Sequence, residues 1–279
     1  MLPSAQWAAR CHSPDLSRTT SAGTAPSGRL GSVPGHKYDE LIPIKIELEI
    51  RTKIGKNRRQ ARNVLGEIPG TDKKDEVVML GAHFDTWHAS PNASDNTSGV
   101  AVMLEAIRIL SALDIKPRRT IRIALWSGEE QGLHGSREYV NKHFGNPNDP
   151  KVGQKSSYNK FSAYFNQDYG PGQYRGIYWR GNEHVRQAFS SWMKPFKDLG
   201  MTTISSQSAC CTDHIPFDRS GLPAFQFLQD RVGGTGGHTN LDYYDTIPIE
   251  DIKKNAVIVA SFVYHTAMLD KPLPRKKNK

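Results

Sequence analysis

Seven residues of this chain have types and neighbours suited to metal-assisted hydrolysis. They are His83 and Asp85 in Gly81-Ala82-His83-Phe84-Asp85, Asp95 in Ala93-Ser94-Asp95-Asn96, Glu129 and Glu130 in Ser127-Gly128-Glu129-Glu130, Asp168, and His238 in Gly237-His238-Thr239-Asn240. Carboxylates gathered closely repel one another, and a divalent cation relieves that repulsion. Mixed His and carboxylate ligation suits zinc or a similar ion. Two histidines and three carboxylates can hold two ions if one carboxylate bridges, and ions about 3.5–4 Å apart can polarise a carbonyl and activate a shared water. A spare carboxylate beside them can serve as general base. Taken singly, each residue has a plainer reading. A lone histidine is usually a hydrogen-bonded surface group, an Asp before Asn-Thr-Ser is a helix cap, and paired glutamates form a solvated acidic surface. The metal reading gains its weight from where the residues stand.

That position follows from the elements around them. Residues 76–82 contain Val77-Val78-Met79-Leu80, the continuous apolar run of a strand buried on both faces. Strands are also expected at 120–126, 161–166, 176–179 and 223–228, and a half-exposed one at 42–51 with 59–68 as its partner. Apolar residues at 100, 103, 104, 107, 110 and 113 predict a helix over 97–113, and those at 252, 256, 259, 260, 263 and 267 predict one over 249–269. Further helices are expected at 132–144 and 181–199. Strand–helix alternation predicts an α/β fold, a three-layer α/β/α sandwich around a mixed, mostly parallel sheet. Ligands of such sheets bind beyond the carboxyl ends of the strands. The candidate residues follow four expected strands at that end.

Composition excludes other classes. Hydrophobic residues at 37% rule out global disorder. No apolar run approaches the ~18 residues of a membrane span, and the first thirty or so positions lack a secretory apolar stretch. The net charge is +9, of which residues 1–38 carry +3 and 271–279 carry +5. Basicity confined to the ends is poor support for nucleic-acid binding. Residues 1–38, rich in Ser, Ala, Gly, Pro and Thr, read as a disordered or truncated segment, 39–269 as one catalytic domain and 270–279 as a basic tail. Cys11, Cys210 and Cys211 form neither a disulfide framework nor a spaced zinc cluster. The adjacent pair, with Cα atoms about 3.8 Å apart across a trans peptide, reads as two reduced thiols.

The four motifs together, the third extended to Trp126-Ser127-Gly128-Glu129-Glu130-Gln131-Gly132, and with them Arg118-Arg119-Thr120-Ile121-Arg122 and Asp213-His214-Ile215-Pro216-Phe217-Asp218, resemble the co-catalytic zinc exopeptidases of metallopeptidase family 28, its carboxypeptidase Q-like members above all. The resemblance covers about residues 40–268. It implies a phosphorylase/hydrolase-like sandwich and two zinc ions per chain. One ion falls to His83, Asp95 and Asp168, and the other to Asp95, Glu130 and His238, with Asp95 bridging. It further implies that Glu129 is the general base, that Asp85 orients His83, and that the Asp95–Asn96 peptide is cis. The implied substrate is a peptide or dipeptide cut at a terminal bond. No nucleic-acid or membrane partner is expected, and the oligomeric state stays open, a homodimer included.

Three features depart from the pattern. Carboxypeptidase Q-like members carry a signal peptide and a protease-associated domain ahead of the metal motifs; residues 1–38 are too short and polar to supply them, so the expectation is a catalytic core without them. Full-length relatives of this type are expected to be secreted or periplasmic. Residues 207–212 lack the tyrosine that supports the oxyanion in some aminopeptidases. The glycine-rich stretch 231–237 lacks the Lys-Ser/Thr of a phosphate loop and reads as flexible backbone beside His238. Arg175, Arg180 and Arg231 are candidates to receive a substrate carboxylate. Two other functions share such a fold: a single-zinc glutaminyl cyclase and a receptor-like module without catalysis. The filled ligand set favours the peptidase over both.

Overall fold

The structure, a computed structural model, describes residues 60–88, 91–207, 209–232 and 237–276. The strand expected at 42–51 lies outside them. In chain order the elements are β1 (Val64–Ile68), β2 (Lys73–His83), α1 (Ser98–Ala112), β3 (Arg119–Trp126), α2 (His134–His143), β4 (Gly145–Asn146), β5 (Gly153–Gln154), β6 (Phe161–Asn166), β7 (Tyr174–Tyr178), α3 (Arg186–Met193), β8 (Thr203–Ser205), α4 (His214–Arg219), β9 (Ala224–Gln229) and α5 (Ile249–Met268).

Seven strands form one sheet in the order β1-β3-β2-β6-β9-β7-β8. β3, β2, β6 and β9 run parallel to one another, while β1 and β7 join antiparallel at either side of them. The mixed, mostly parallel sandwich is therefore as expected. β4 and β5 form a separate small hairpin.

β2 shows why its apolar run is continuous. Val78, Leu80 and Ala82 face a core shared with α1, α3 and α5. Val77 and Met79 face the opposite core, built on Trp126, Tyr139 of α2 and Phe217 of α4. Alternate side chains point to opposite faces, so a strand covered on both must be apolar at every position.

Two helices differ from their expected faces. In α1 the fully covered residues are Val102, Met103, Ala106 and Leu110, while Leu104 and Leu113 are exposed. The stripe is narrower than the apolar residues suggested. In α5, Ile258 and Phe262 are buried besides the expected Ala256, Val259, Ala260, Val263 and Ala267, because this helix packs on α1 as well as on the sheet, while the expected Ile252 is half-buried. The stretch 181–199 is helical in three pieces, with α3 flanked by tighter turns at Glu183–Val185 and Lys194–Leu199.

Arg119, at the start of β3, is wholly buried. It donates to Glu76 Oε2 at 2.7 Å and to the Leu269 carbonyl, fastening the end of α5 to the sheet. Cys210 is a free thiol, whereas Cys211 is disulfide-bonded, so the expectation of two reduced thiols holds for Cys210 alone. Among the described residues no helix is long and apolar enough to cross a membrane.

Candidate metal centre

The four parallel strands end side by side, and each delivers a donor to one place. His83 is the last residue of β2 and pairs in register with Trp126, the last of β3. The turn after Trp126 carries Glu129 and Glu130, Asp168 stands two residues past β6, and His238 follows β9. Asp95 enters from the connection between β2 and α1, with a cis Asp95–Asn96 peptide as the resemblance implied.

Asp95 is the hub. Its Oδ1 lies 3.2 Å from His83 Nε2, and its Oδ2 lies 2.9 Å from His238 Nε2. Asp168 Oδ1 is 3.7 Å from His83 Nε2, and Glu130 Oε2 is 3.2 Å from His238 Nε2. Donor atoms of His83, Asp95 and Glu130 lie within 4.8 Å of one another, as do those of His83, Glu129 and Asp168. His83, Asp95, Glu130, Asp168 and His238 thus lie near one another, though the two triads group Glu129 with His83 and Asp168, and Glu130 with His83 and Asp95.

Asp85 holds two parts of this cluster in place. Its carbonyl oxygen is 3.0 Å from His83 Nδ1, and its carboxylate is 3.6 Å away. The main-chain carbonyl is therefore the nearer partner of the ring. The carboxylate instead accepts the backbone N–H groups of Glu129 at 3.1 Å and Glu130 at 3.3 Å. That turn is made possible by Gly128 at φ +67°, a left-handed conformation that glycine adopts without strain.

Burial first, and charge repulsion after it, shift the proton affinities of the two glutamates. Burial, then Asp168, pushes Glu129 up to about 10. Burial, then Asp95, pushes Glu130 up to about 7. Burial alone would pull His83 down, but Asp168, Asp85 and Asp95 raise it well above its ordinary value. Burial would raise Asp168, yet His83 outweighs it and the net shift is downward. The buried Glu130 Oε1 has no hydrogen-bond partner among the described residues. Imidazole and carboxylate donors, crowded negative charge and an unsatisfied carboxylate oxygen all fit a cation such as zinc.

Three residues of the site were not anticipated. Asp242 is wholly buried and accepts the Ser94 N–H at 2.8 Å, the Ser94 hydroxyl at 2.6 Å and the Asp95 N–H at 3.0 Å. It stands four residues after His238, so it clasps the Asp95 segment to the His238 segment. Replacing Asp242 with Ala is expected to weaken zinc binding about 10–100-fold, the usual worth of a group that fixes a ligand. Calorimetric titration checks this, and unchanged affinity would refute it. Tyr169 donates its N–H to Asp168 Oδ1 at 2.5 Å and its hydroxyl to the Cys210 carbonyl, so a tyrosine does meet the 207–212 segment, though from another part of the chain. Trp87 lies against the His238 ring. The only sequence signal for Asp242 was its nearness to the Gly-His-Thr-Asn motif.

Two of the arginines proposed for a substrate carboxylate are already engaged. Arg175 Nε bonds both oxygens of Asp230 at 2.9 Å. Arg180 pairs with Asp218 at 3.0 Å and donates to the Ala209 carbonyl at 2.6 Å. Residues 233–236 of the glycine-rich stretch lie outside the described residues.

Residues 63–263 match the model of peptidase family M28. The chain is 27% identical over 216 residues to carboxypeptidase Q of Mus musculus, covering 76% of this chain and 43% of that protein. A solved peptidase M28 precursor from Shewanella amazonensis SB2B is 28% identical with a TM-score of 0.68, over 77% of this chain and 47% of that one. BSAP, a zinc aminopeptidase from Bacillus subtilis, is 25% identical with a TM-score of 0.59, over 75% and 50%. The chain spans about half the length of these relatives.

Proposed function

We propose, from the premise that this chain belongs to peptidase family M28, that it is a two-zinc exopeptidase releasing terminal residues from peptides or splitting dipeptides. The observation that carries this reading is Asp95, whose two oxygens face His83 and His238 at 3.2 and 2.9 Å. His83 and Asp168 would complete one site, and Glu130 and His238 the other. Zinc bound there supplies Lewis-acid polarisation of a carbonyl and lowers the pKa of a coordinated water towards about 7.

The remaining chemistry belongs to the chain. Glu129 is the group that takes a proton from the attacking water and returns it to the departing amine. Its main chain is fixed by Asp85, and its carboxyl lies beside His83 and Asp168. In the metal-free chain burial and Asp168 keep that carboxyl protonated. Cations at the Asp95 cluster act in the opposite sense, so Glu129 becomes a base as the site is loaded. Asp85 and Asp242 keep the donors from drifting under their mutual repulsion.

The test is metal analysis combined with a dipeptide panel blocked in turn at the amino and carboxyl ends. Two zinc ions per chain are expected, together with cleavage that chelation abolishes, zinc restores, and blocking one particular end suppresses. Absence of zinc uptake at micromolar metal would defeat the proposal in favour of a non-catalytic module. Ammonia released from an N-terminal glutamine peptide without cleavage would favour the single-zinc cyclase.

A further inference from the structure

The two histidines of the site are supported in different ways. His83 is buried to 1% exposure at the end of a central strand, and its Nδ1 has the Asp85 carbonyl oxygen at 3.0 Å. A ligating histidine ordinarily has such a partner on its second nitrogen, which fixes the ring's orientation. The side chain of His238 is 61% exposed and stands at φ +62°, next to the glycine-rich stretch. Among the described residues its ring meets the carboxylates of Asp95 and Glu130 through Nε2, and no hydrogen bond reaches Nδ1. The remaining ring contact is the indole of Trp87, edge to face at a centroid distance of 5.9 Å.

Trp87 is itself anchored. Its carbonyl accepts the Asn92 side-chain amide at 2.5 Å, and Asn92 is a buried residue just ahead of Ser94 and Asp95. The backbone of Trp87, four residues past His83 and two past Asp85, is thus tied to the segment that carries Asp95, and its indole lies edge-on to the ring of His238. It supports the ring of His238 from the side, leaving both ring nitrogens free to bond elsewhere.

We propose that Trp87 is a positioning residue for His238 and sets the affinity of the second of the two zinc sites, leaving the His83 site unaffected. This rests on the two-zinc reading above. An edge-to-face contact restricts the ring to a narrow range of orientations without drawing on its nitrogens. Removing it frees an exposed side chain on a glycine-flanked backbone, and ligand ordering must then be supplied at the moment of binding.

The experiment is calorimetric titration of the metal-free full chain with zinc chloride, for the wild type, Trp87→Ala and Trp87→Phe. The wild type is expected to take up two ions. Trp87→Ala should keep the tighter step within a few-fold and weaken the other about tenfold or more. Trp87→Phe, which retains an aromatic edge, should restore most of that loss. Two wild-type steps in Trp87→Ala would overturn the proposal while leaving the two-zinc reading intact. Equal weakening of both steps would also overturn it, because it would mean general loosening of the loop. A wild type that takes up a single ion would overturn both the proposal and the reading beneath it.

Discussion

Glu129→Gln is expected to retain its zinc and to lose about 10²–10⁴ in kcat, the usual worth of general acid–base catalysis. Glutamine keeps the size of the side chain and the backbone N–H that bonds Asp85 at 3.1 Å. It removes only the site for a travelling proton. The Asp95 hub and both histidines are untouched, so metal content by mass spectrometry should equal that of the wild type. A second effect should accompany the first. In the metal-free chain, burial and Asp168 push Glu129 up to about 10 from an ordinary 4.5. Keeping that carboxyl protonated at neutral pH costs on the order of 3 kcal/mol of folding stability. Glutamine carries no such cost, so the metal-free variant should melt above the metal-free wild type at pH 8. Near-full turnover in Glu129→Gln would remove Glu129 from its role, whatever the melting temperature.

Zinc should stabilise the chain strongly, and by more as pH rises. At about a thousand-fold excess over its Kd, a ligand that binds only the folded state adds about 4 kcal/mol per site. For a domain of this size each kcal/mol moves Tm by roughly 2–4 °C. The pH dependence has a definite sign. Glu130 and Glu129 are raised by burial and neighbouring carboxylates to about 7 and about 10. A carboxyl raised on folding contributes stability that is complete below its unfolded value, here 4.5, and is lost as pH climbs through the folded value. His83, raised by its three aspartates against the pull of burial, behaves the same way above its ordinary 6.5. From pH 5 to 8 all three therefore erode the metal-free state, each by at most about 1.4 kcal/mol per pH unit. Zinc requires Glu130 and His83 unprotonated and favours the ionised form of the neighbouring Glu129, so its own contribution grows over the same interval. His214, lowered to about 3 by burial and Arg180, destabilises the fold below its ordinary 6.5. It does so with or without metal and cancels in the difference. The gap in Tm between zinc-loaded and chelated protein should widen from pH 5 to 8. A constant or narrowing gap would contradict the assignment of these residues to the metal.

The core of the site was legible because central parallel strands are hard to disguise. Val77 through Leu80 are apolar on both faces, and His83 breaks that run at the carboxyl end. Trp126 and Asn166 close β3 and β6 in the same way, and acids follow each. What escaped notice depended on approaches between distant parts of the chain. Asp242 meets Asp95 across 147 positions, and Trp87 meets His238 across a comparable span. Neither residue type advertises such a role. β8 is three residues long and α4 six, too short for any period to show. The outward placement of Leu104 and Leu113 was hidden because apolar spacing gives a helix's period without saying how much of its surface the neighbours cover.

The small hairpin of β4 and β5 divides the chain in an unusual place. Its bend at 147–148 is exposed, and a cut there leaves His83, Asp95, Glu129 and Glu130 on one fragment and Asp168 and His238 on the other. The seam between the fragments includes β2 alongside β6, parallel neighbours at the centre of the sheet. On the proposed two-zinc reading each ion draws on both pieces, His83, Asp95 and Glu130 from one and Asp168 and His238 from the other. Uptake of the full pair of ions would then report reunion of the two pieces, making the scaffold a split reporter whose signal is the metal itself.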